Sequence, residues 1–197
     1  MCIRDSYICR SFPDCPIDLF ASVDLDEPIP MEIYDRWAQQ LCRQYFPLLP
    51  HLGLNVWMMA LGLNRCFKAH QIPLQARWGV APAKLWARIR DMLSQDLPVI
   101  LAIGQNFPFP WQKAKCGLYK KNAEGIFCRV STTKAHYVNV TGMDETWARV
   151  SSWGQMLFLN RDEYNRYVAL HSNALFSNIL YLEKRSSHIT WRSDSSK

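Results

Sequence analysis

Between His136 and Gly154 runs the stretch HYVNVTGMDETWARVSSWG, which sets a histidine at the head of one apolar, β-branched segment and a Ser-Ser-Trp-Gly ending on the next. An imidazole whose pKa lies near 6.5 can take a proton from a thiol, provided that a polar group holds its ring in one tautomer. Two adjacent antiparallel strands joined by a tight turn bring such groups face to face. With the turn centred near Asp144, His136 lies about as far from it along the chain as Ser151 and Ser152 do, so either serine can meet the histidine. His136 is therefore the candidate general base. A strand histidine taken alone is more often a hydrogen-bonded structural residue, and only the company of the Ser-Trp-Gly ending shifts that balance.

A base needs a nucleophile, which in this chemistry is a cysteine. The cysteines fall at positions 2, 9, 15, 42, 66, 116 and 128, with no Cys-x-x-Cys pair. Cys42 and Cys66 sit inside apolar helical patterns, where a thiol packs as a small hydrophobe and no helix N-terminus stabilises its thiolate. Cys15 precedes Pro16, which can open a helix whose N-terminus would lower a thiol pKa. Cys66 and His70 stand one helical turn apart, but two ligands without a second pair do not make a zinc site. We expect no metal and no cofactor.

The elements that must position these groups can be read from periodicity. Tyr34, Trp37, Leu41 and Tyr45 recur at helical spacing and predict an amphipathic helix ending near Pro47. Residues 54–67 are apolar with few interruptions and predict a helix buried nearly all round. Pro82 opens a third helix carrying Leu85, Trp86, Ile89, Met92 and Leu93 on one side. After Pro98 the pattern changes to strands: PVILAIG, then 126–132, 136–141, 147–152, 156–159 and a last one at NILYLE. Between them the proline-rich, aromatic run at 107–111 reads as a loop that can wall a cleft. Asn160 followed by Glu163 has the form of a capping box for a helix through Tyr164, Tyr167 and Val168. The expected fold is α+β, with helices in the first half packed on an antiparallel sheet in the second.

Composition sets the outer bounds. The chain has 197 residues, of which 49% are hydrophobic, enough for a packed core. The net charge of +6 is scattered and is not interleaved with stacking aromatics, so no nucleic acid is expected as a partner. No apolar run is long enough to span a bilayer, and cysteine usage suits a reducing, cytoplasmic setting. The opening MCIRDS resembles a translated sequencing-adapter remnant. Setting residues 1–6 apart leaves 7–185 as one incomplete domain, truncated at its N-terminus, and 186–197 as a polar tail.

The order PVILAIG, NFP, HYVNVTG, VSSWG and a following Asn-x-x-Glu-Tyr helix resembles the papain-like cysteine peptidase superfamily. It is most similar to the bacterial branch related to the double-glycine leader peptidases. The resemblance spans roughly residues 47–181 and implies a papain-like fold acting on a peptide or amide substrate. By position, it implies His136 as the catalytic histidine, Ser151 in place of the orienting asparagine or aspartate, and Trp153 as the residue shielding their hydrogen bond. A serine there departs from the pattern, because a hydroxyl cannot stabilise an imidazolium as a carboxylate does. The family nucleophile lies early, after an oxyanion glutamine and at the start of the central helix. No glutamine-then-Gly-Cys segment precedes residue 50, so the nucleophile is expected to be missing from this truncated sequence and the fragment to be inactive, with Cys9 and Cys15 as the weaker candidates within it. Three functions stay open: thiol hydrolysis, acyl or amide transfer on the same scaffold, and peptide binding without catalysis.

Overall fold

A computed structural model describes residues 31–46, 54–97, 99–104, 114–152, 154–171 and 179–185. Among them, four α-helices flank one antiparallel sheet of eight strands in the order β1-β8-β2-β5-β6-β7-β3-β4. The helices are α1 (Met31–Tyr45), α2 (Val56–Ala69), α3 (Leu85–Ser94) and α4 (Arg161–His171). The strands are β1 (Leu74–Trp78), β2 (Val99–Ile103), β3 (Cys116–Lys121), β4 (Phe127–Thr133), β5 (His136–Met143), β6 (Trp147–Ser152), β7 (Gln155–Asn160) and β8 (Ile179–Lys184). The fold is α+β, as expected.

The expected division into a helical half and a strand half does not hold. β1 comes from the first half of the chain and pairs with β8 from the second, which in turn lies beside β2. β1 alternates apolar and polar residues, but over only five positions, of which Leu74 and Ala76 alone are buried. β3 is equally inconspicuous, since Cys116, Gly117 and Leu118 are buried in succession and do not alternate.

Alternation along the strands sorts the core into two layers. Val99, Leu101 and Ile103 of β2 join Val138, Val140, Ala148 and Val150 under α3 and α4, which contribute Ile89, Met92, Tyr164 and Tyr167. Ile100 and Ala102 point the other way and pack with Leu74, Leu180 and Leu182 against Val56, Leu63 and Phe67 of α2. α2 thus lies on one face of the sheet, and it is not buried all round. Trp57, Leu61, Arg65 and Lys68 form an exposed stripe at helical spacing.

Both α2 and α3 end in the same way. Ile72 N–H donates to Phe67 O at 2.8 Å with Gln71 at φ 52°, and Leu97 N–H donates to Met92 O at 2.9 Å with Asp96 at φ 56°. These are left-handed C-terminal caps built without the usual glycine. At the start of α4, Asn160 Oδ1 accepts the Glu163 N–H at 2.9 Å, the forward half of the expected capping box. The reverse half is absent because the Glu163 carboxylate leaves the helix. It accepts from Gly117 N–H at 2.9 Å and from the Tyr119 hydroxyl at 2.5 Å, and pairs with Arg129 at 3.3 Å. The cap residue therefore ties α4 to β3 and β4.

The sheet is strongly coiled. Thr133 ends β4 and His136 begins β5, a link that spans at most about 11 Å. Four strand spacings separate β4 from β5 in the sheet order, about 19 Å if it were flat. Coiling also brings Phe127 of β4 onto Trp147 of β6, stacked with ring centroids 4.0 Å apart although two strands intervene. Among the described residues, no helix is long and apolar enough to cross a membrane.

Candidate active site

His136 stands at the first position of β5, opposite Ile103 at the last position of β2. The chain there is held by backbone contact. Gly104, at φ 138°, lies so close to the β4–β5 link that a Cβ built on it would come within 2.1 Å of Ala135 N and 2.4 Å of Ala135 Cα. Ala135 itself adopts φ 54°. Only a residue without a side chain permits this approach, so Gly104 fixes where β5 begins.

The turn between β5 and β6 is organised by Asp144. Its carboxylate accepts Thr146 N–H at 2.8 Å and Trp147 N–H at 2.6 Å, and these backbone bonds hold its pKa below the ordinary aspartate range. The hairpin leaving this turn pairs Met143 with Ala148 and Gly142 with Arg149. Continued without interruption, that register would set Val140 opposite Ser151 and put Ser151 on the face of His136. A β-bulge intervenes. Beyond it Val140 pairs with Val150 and Asn139 with Ser151, so Thr141 is the extra residue on β5. Arg149 Nη2 donates to the Thr141 carbonyl at 3.1 Å and braces the bulge.

One inserted residue exchanges the two faces of a strand. His136 therefore shares its face with Val138, Val140, Val150 and Ser152, while Ser151 falls with Tyr137 and Asn139 on the opposite one. Ser152 is 6% exposed, and its Oγ lies 2.6 Å from His136 Nε2, a hydrogen bond whose donor depends on the imidazole tautomer. The resemblance puts Ser151 in the orienting position; the structure gives the contact to Ser152. Trp153, Cys9, Cys15 and the loop at 107–111 lie outside the described residues.

Burial lowers the pKa of His136 below its ordinary value, so the imidazole is predominantly neutral at pH 7, the form a general base requires. On the other face, the Tyr137 hydroxyl donates to Leu54 O at 2.8 Å, and burial pushes its pKa up to about 12. β5 thus anchors Leu54, two residues ahead of α2, while presenting His136 on its reverse.

None of the described cysteines stands at a helix N-terminus, where a thiolate would be stabilised. Cys116 is fully buried, and burial together with the nearby Glu163 carboxylate pushes its thiol up to about 12, so it is protonated at neutral pH. Cys66 is buried late in α2, Cys42 lies within α1 and Cys128 is exposed on β4. The first turn of α2, which lies across the β1–β8–β2 end of the sheet, carries Val56, Trp57, Met58 and Met59 and no thiol. His70 is engaged by Tyr45, whose hydroxyl lies 2.8 Å from its Nε2. Compared with known proteins, the chain matches no family model and no curated sequence.

Two features were hidden from sequence reading. The choice of Ser152 depends on the bulge at Thr141, for which the bracing Arg149 and the adjacent Gly142 are the only local signals. The Gly104–Ala135 contact joins residues that are far apart in the chain, and its only trace in the sequence is a glycine ending an apolar strand.

Proposed function

We propose that this chain is a papain-like hydrolase domain in which His136 serves a cysteine thiol as general base for cleavage of peptide or amide bonds. The observation that carries this reading is the 2.6 Å contact between His136 Nε2 and Ser152 Oγ at the ends of adjacent strands. A ring fixed on one nitrogen presents the other in a defined direction, and burial keeps it unprotonated. In the reaction, His136 would accept the thiol proton as sulfur attacks the carbonyl and would return it to the leaving amine. Ser152 would orient the ring without neutralising the imidazolium, so turnover would be slower than with a carboxylate in that place. The thiol would come from a cysteine outside the described residues; Cys9 and Cys15 are the weaker candidates that the sequence itself offers.

A second reading is favoured by the first turn of α2. The resemblance puts the nucleophile at the start of the central helix; if α2 is that helix, its opening Val56-Trp57-Met58 makes the chain a non-catalytic peptide-binding relative. One experiment separates the two. The 197-residue chain and its His136→Ala variant are treated at neutral pH with a thiolate-directed peptidyl probe, and the modified cysteine is identified by peptide mapping. Labelling that falls at least tenfold in the variant supports the hydrolase. Absent labelling, or labelling indifferent to His136, refutes a Cys–His pair within this chain. Peptide binding unaffected by prior thiol alkylation would then support the second reading.

A further inference from the structure

The two edges of the sheet are treated differently. On β1, Asn64 of α2 donates its Nδ2 to Ala76 O at 2.9 Å and accepts Ala76 N–H on Oδ1 at 2.8 Å. A side chain there fills the place of a neighbouring strand and closes the edge. β4, at the opposite edge, pairs with β3 alone among the described residues.

The β3–β4 turn decides which backbone groups of β4 face outward. Gly125 N–H donates to Asn122 O at 3.0 Å, Asn122 N–H donates to Ile126 O at 2.9 Å and Ile126 N–H donates to Asn122 Oδ1 at 2.8 Å, so 122 and 126 turn their backbone groups toward each other. Antiparallel ladders alternate. Lys120–Cys128 is then the next bonded pair, and Lys121–Phe127 and Tyr119–Arg129 are the open ones. Phe127 and Arg129 accordingly aim their N–H and C=O groups away from β3, two residues apart, the spacing at which an added strand bonds, and a bulge at Val130 ends this regular stretch of the edge.

The side chains around this edge describe its occupant. Cys128, Arg129 and Val130 are successively exposed, and the apolar Ile126 and Val130 are 57% and 50% exposed. From 115 to 134 the hairpin carries Lys115, Lys120, Lys121, Arg129 and Lys134 against a single acidic residue, Glu124. Glu163 answers Arg129, and Asp144 lies near Lys121. Among the described residues, Lys115, Lys120 and Lys134 have no acidic partner. A second copy of the chain would bring like charges together along the same edge, which is unfavourable.

We infer that the free edge of β4 is a docking site for an extended acidic peptide, taken up as a ninth strand. Apolar residues at alternate positions of the peptide meet Val130 and Ile126, and its carboxylates meet the lysines. Only Lys134 and Ala135 separate the end of β4 from His136, so this edge and the candidate active site are neighbours along the chain. Binding at this edge does not rest on His136 acting as a base.

The test uses the full ¹⁵N-labelled chain and an N-acetylated decapeptide of alternating Glu and Val, with the corresponding Lys-Val peptide as control. At saturation the acidic peptide should slow amide exchange at Phe127 and Arg129 at least about tenfold while leaving Cys128 unchanged, the alternation that strand addition imposes. Lys120→Glu with Lys134→Glu should weaken binding about tenfold, since two exposed attractions become repulsions. His136→Ala should bind as the parent does. Protection that is absent or uniform along β4, or equal binding of the Lys-Val peptide, would overturn the inference. So would protection that appears without peptide and rises with protein concentration, which would mark the edge as a self-pairing surface.

Discussion

Replacing Ser152 with alanine should disturb this protein and replacing Ser151 should not, although the two are neighbours of identical chemistry. Ser152 is buried and its hydroxyl meets His136 Nε2 at 2.6 Å, so Ser152→Ala removes one hydrogen bond and leaves a partly buried ring nitrogen without that partner. Such a loss costs about 1 to 2 kcal/mol. In a chain of this size that lowers the thermal midpoint by roughly 2 to 8 °C. Ser151 lies on the opposite face at intermediate exposure, and Ser151→Ala should stay within about 0.5 kcal/mol of the parent. The assay is urea unfolding of the parent, the two single variants, and each serine change combined with His136→Ala. A double-mutant cycle should give a coupling of about 1 kcal/mol between His136 and Ser152 and none between His136 and Ser151. The ¹⁵N shifts of the His136 ring should change with Ser152→Ala alone. Equal effects of the two serines, or coupling to Ser151, would refute the reasoning from the bulge at Thr141.

Further consequences follow from the same geometry. Gly104→Ala places a methyl group on the Ala135 backbone at an unfavourable φ and should cost about 3 kcal/mol or more, read as a collapse of the thermal midpoint. Because burial depresses the His136 pKa, the unfolded chain binds the proton more tightly than the folded one. The contribution of His136 to stability is therefore fully present above the unfolded value of about 6.5 and shrinks as pH falls through it, levelling off below the folded pKa. Urea midpoints measured between pH 8 and 5 should show that loss, and it should be reduced in His136→Gln. Alkylation at pH 8 should modify Cys128 within minutes and spare Cys116, whose thiol is buried and held near 12, until denaturant is added. Gln71→Gly, at the left-handed cap of α2, should raise stability by about 1 kcal/mol, measured by thermal unfolding.

The sequence by itself determined the elements whose patterns are local. Helical spacing marked α1 and α3, Pro82 marked the start of the 3₁₀ turn that leads into α3, and Asn160 marked the entry to α4 through the bond it makes to Glu163 N–H. The strands β2, β5, β6 and β8 stood out as short apolar runs, and the pairing of β5 with β6 followed from the turn at Asp144. His136 was legible as a candidate base for the same reason: a strand, a tight turn and a polar strand ending are all contained within nineteen consecutive residues.

What only the tertiary structure decided is where contacts between distant residues fall. β3 lacks alternation because its neighbours, not its own pattern, bury it, and the alternation of β1 is only five residues long. Glu163 abandoned its cap for Gly117 and Tyr119 because the coiled sheet brings β3 against α4. Counting outward from the turn leads to Ser151, and the inserted Thr141 moves the partnership to Ser152. Side chains alternate with a period of two, so a single extra residue reverses every face beyond it, and no local propensity records that reversal.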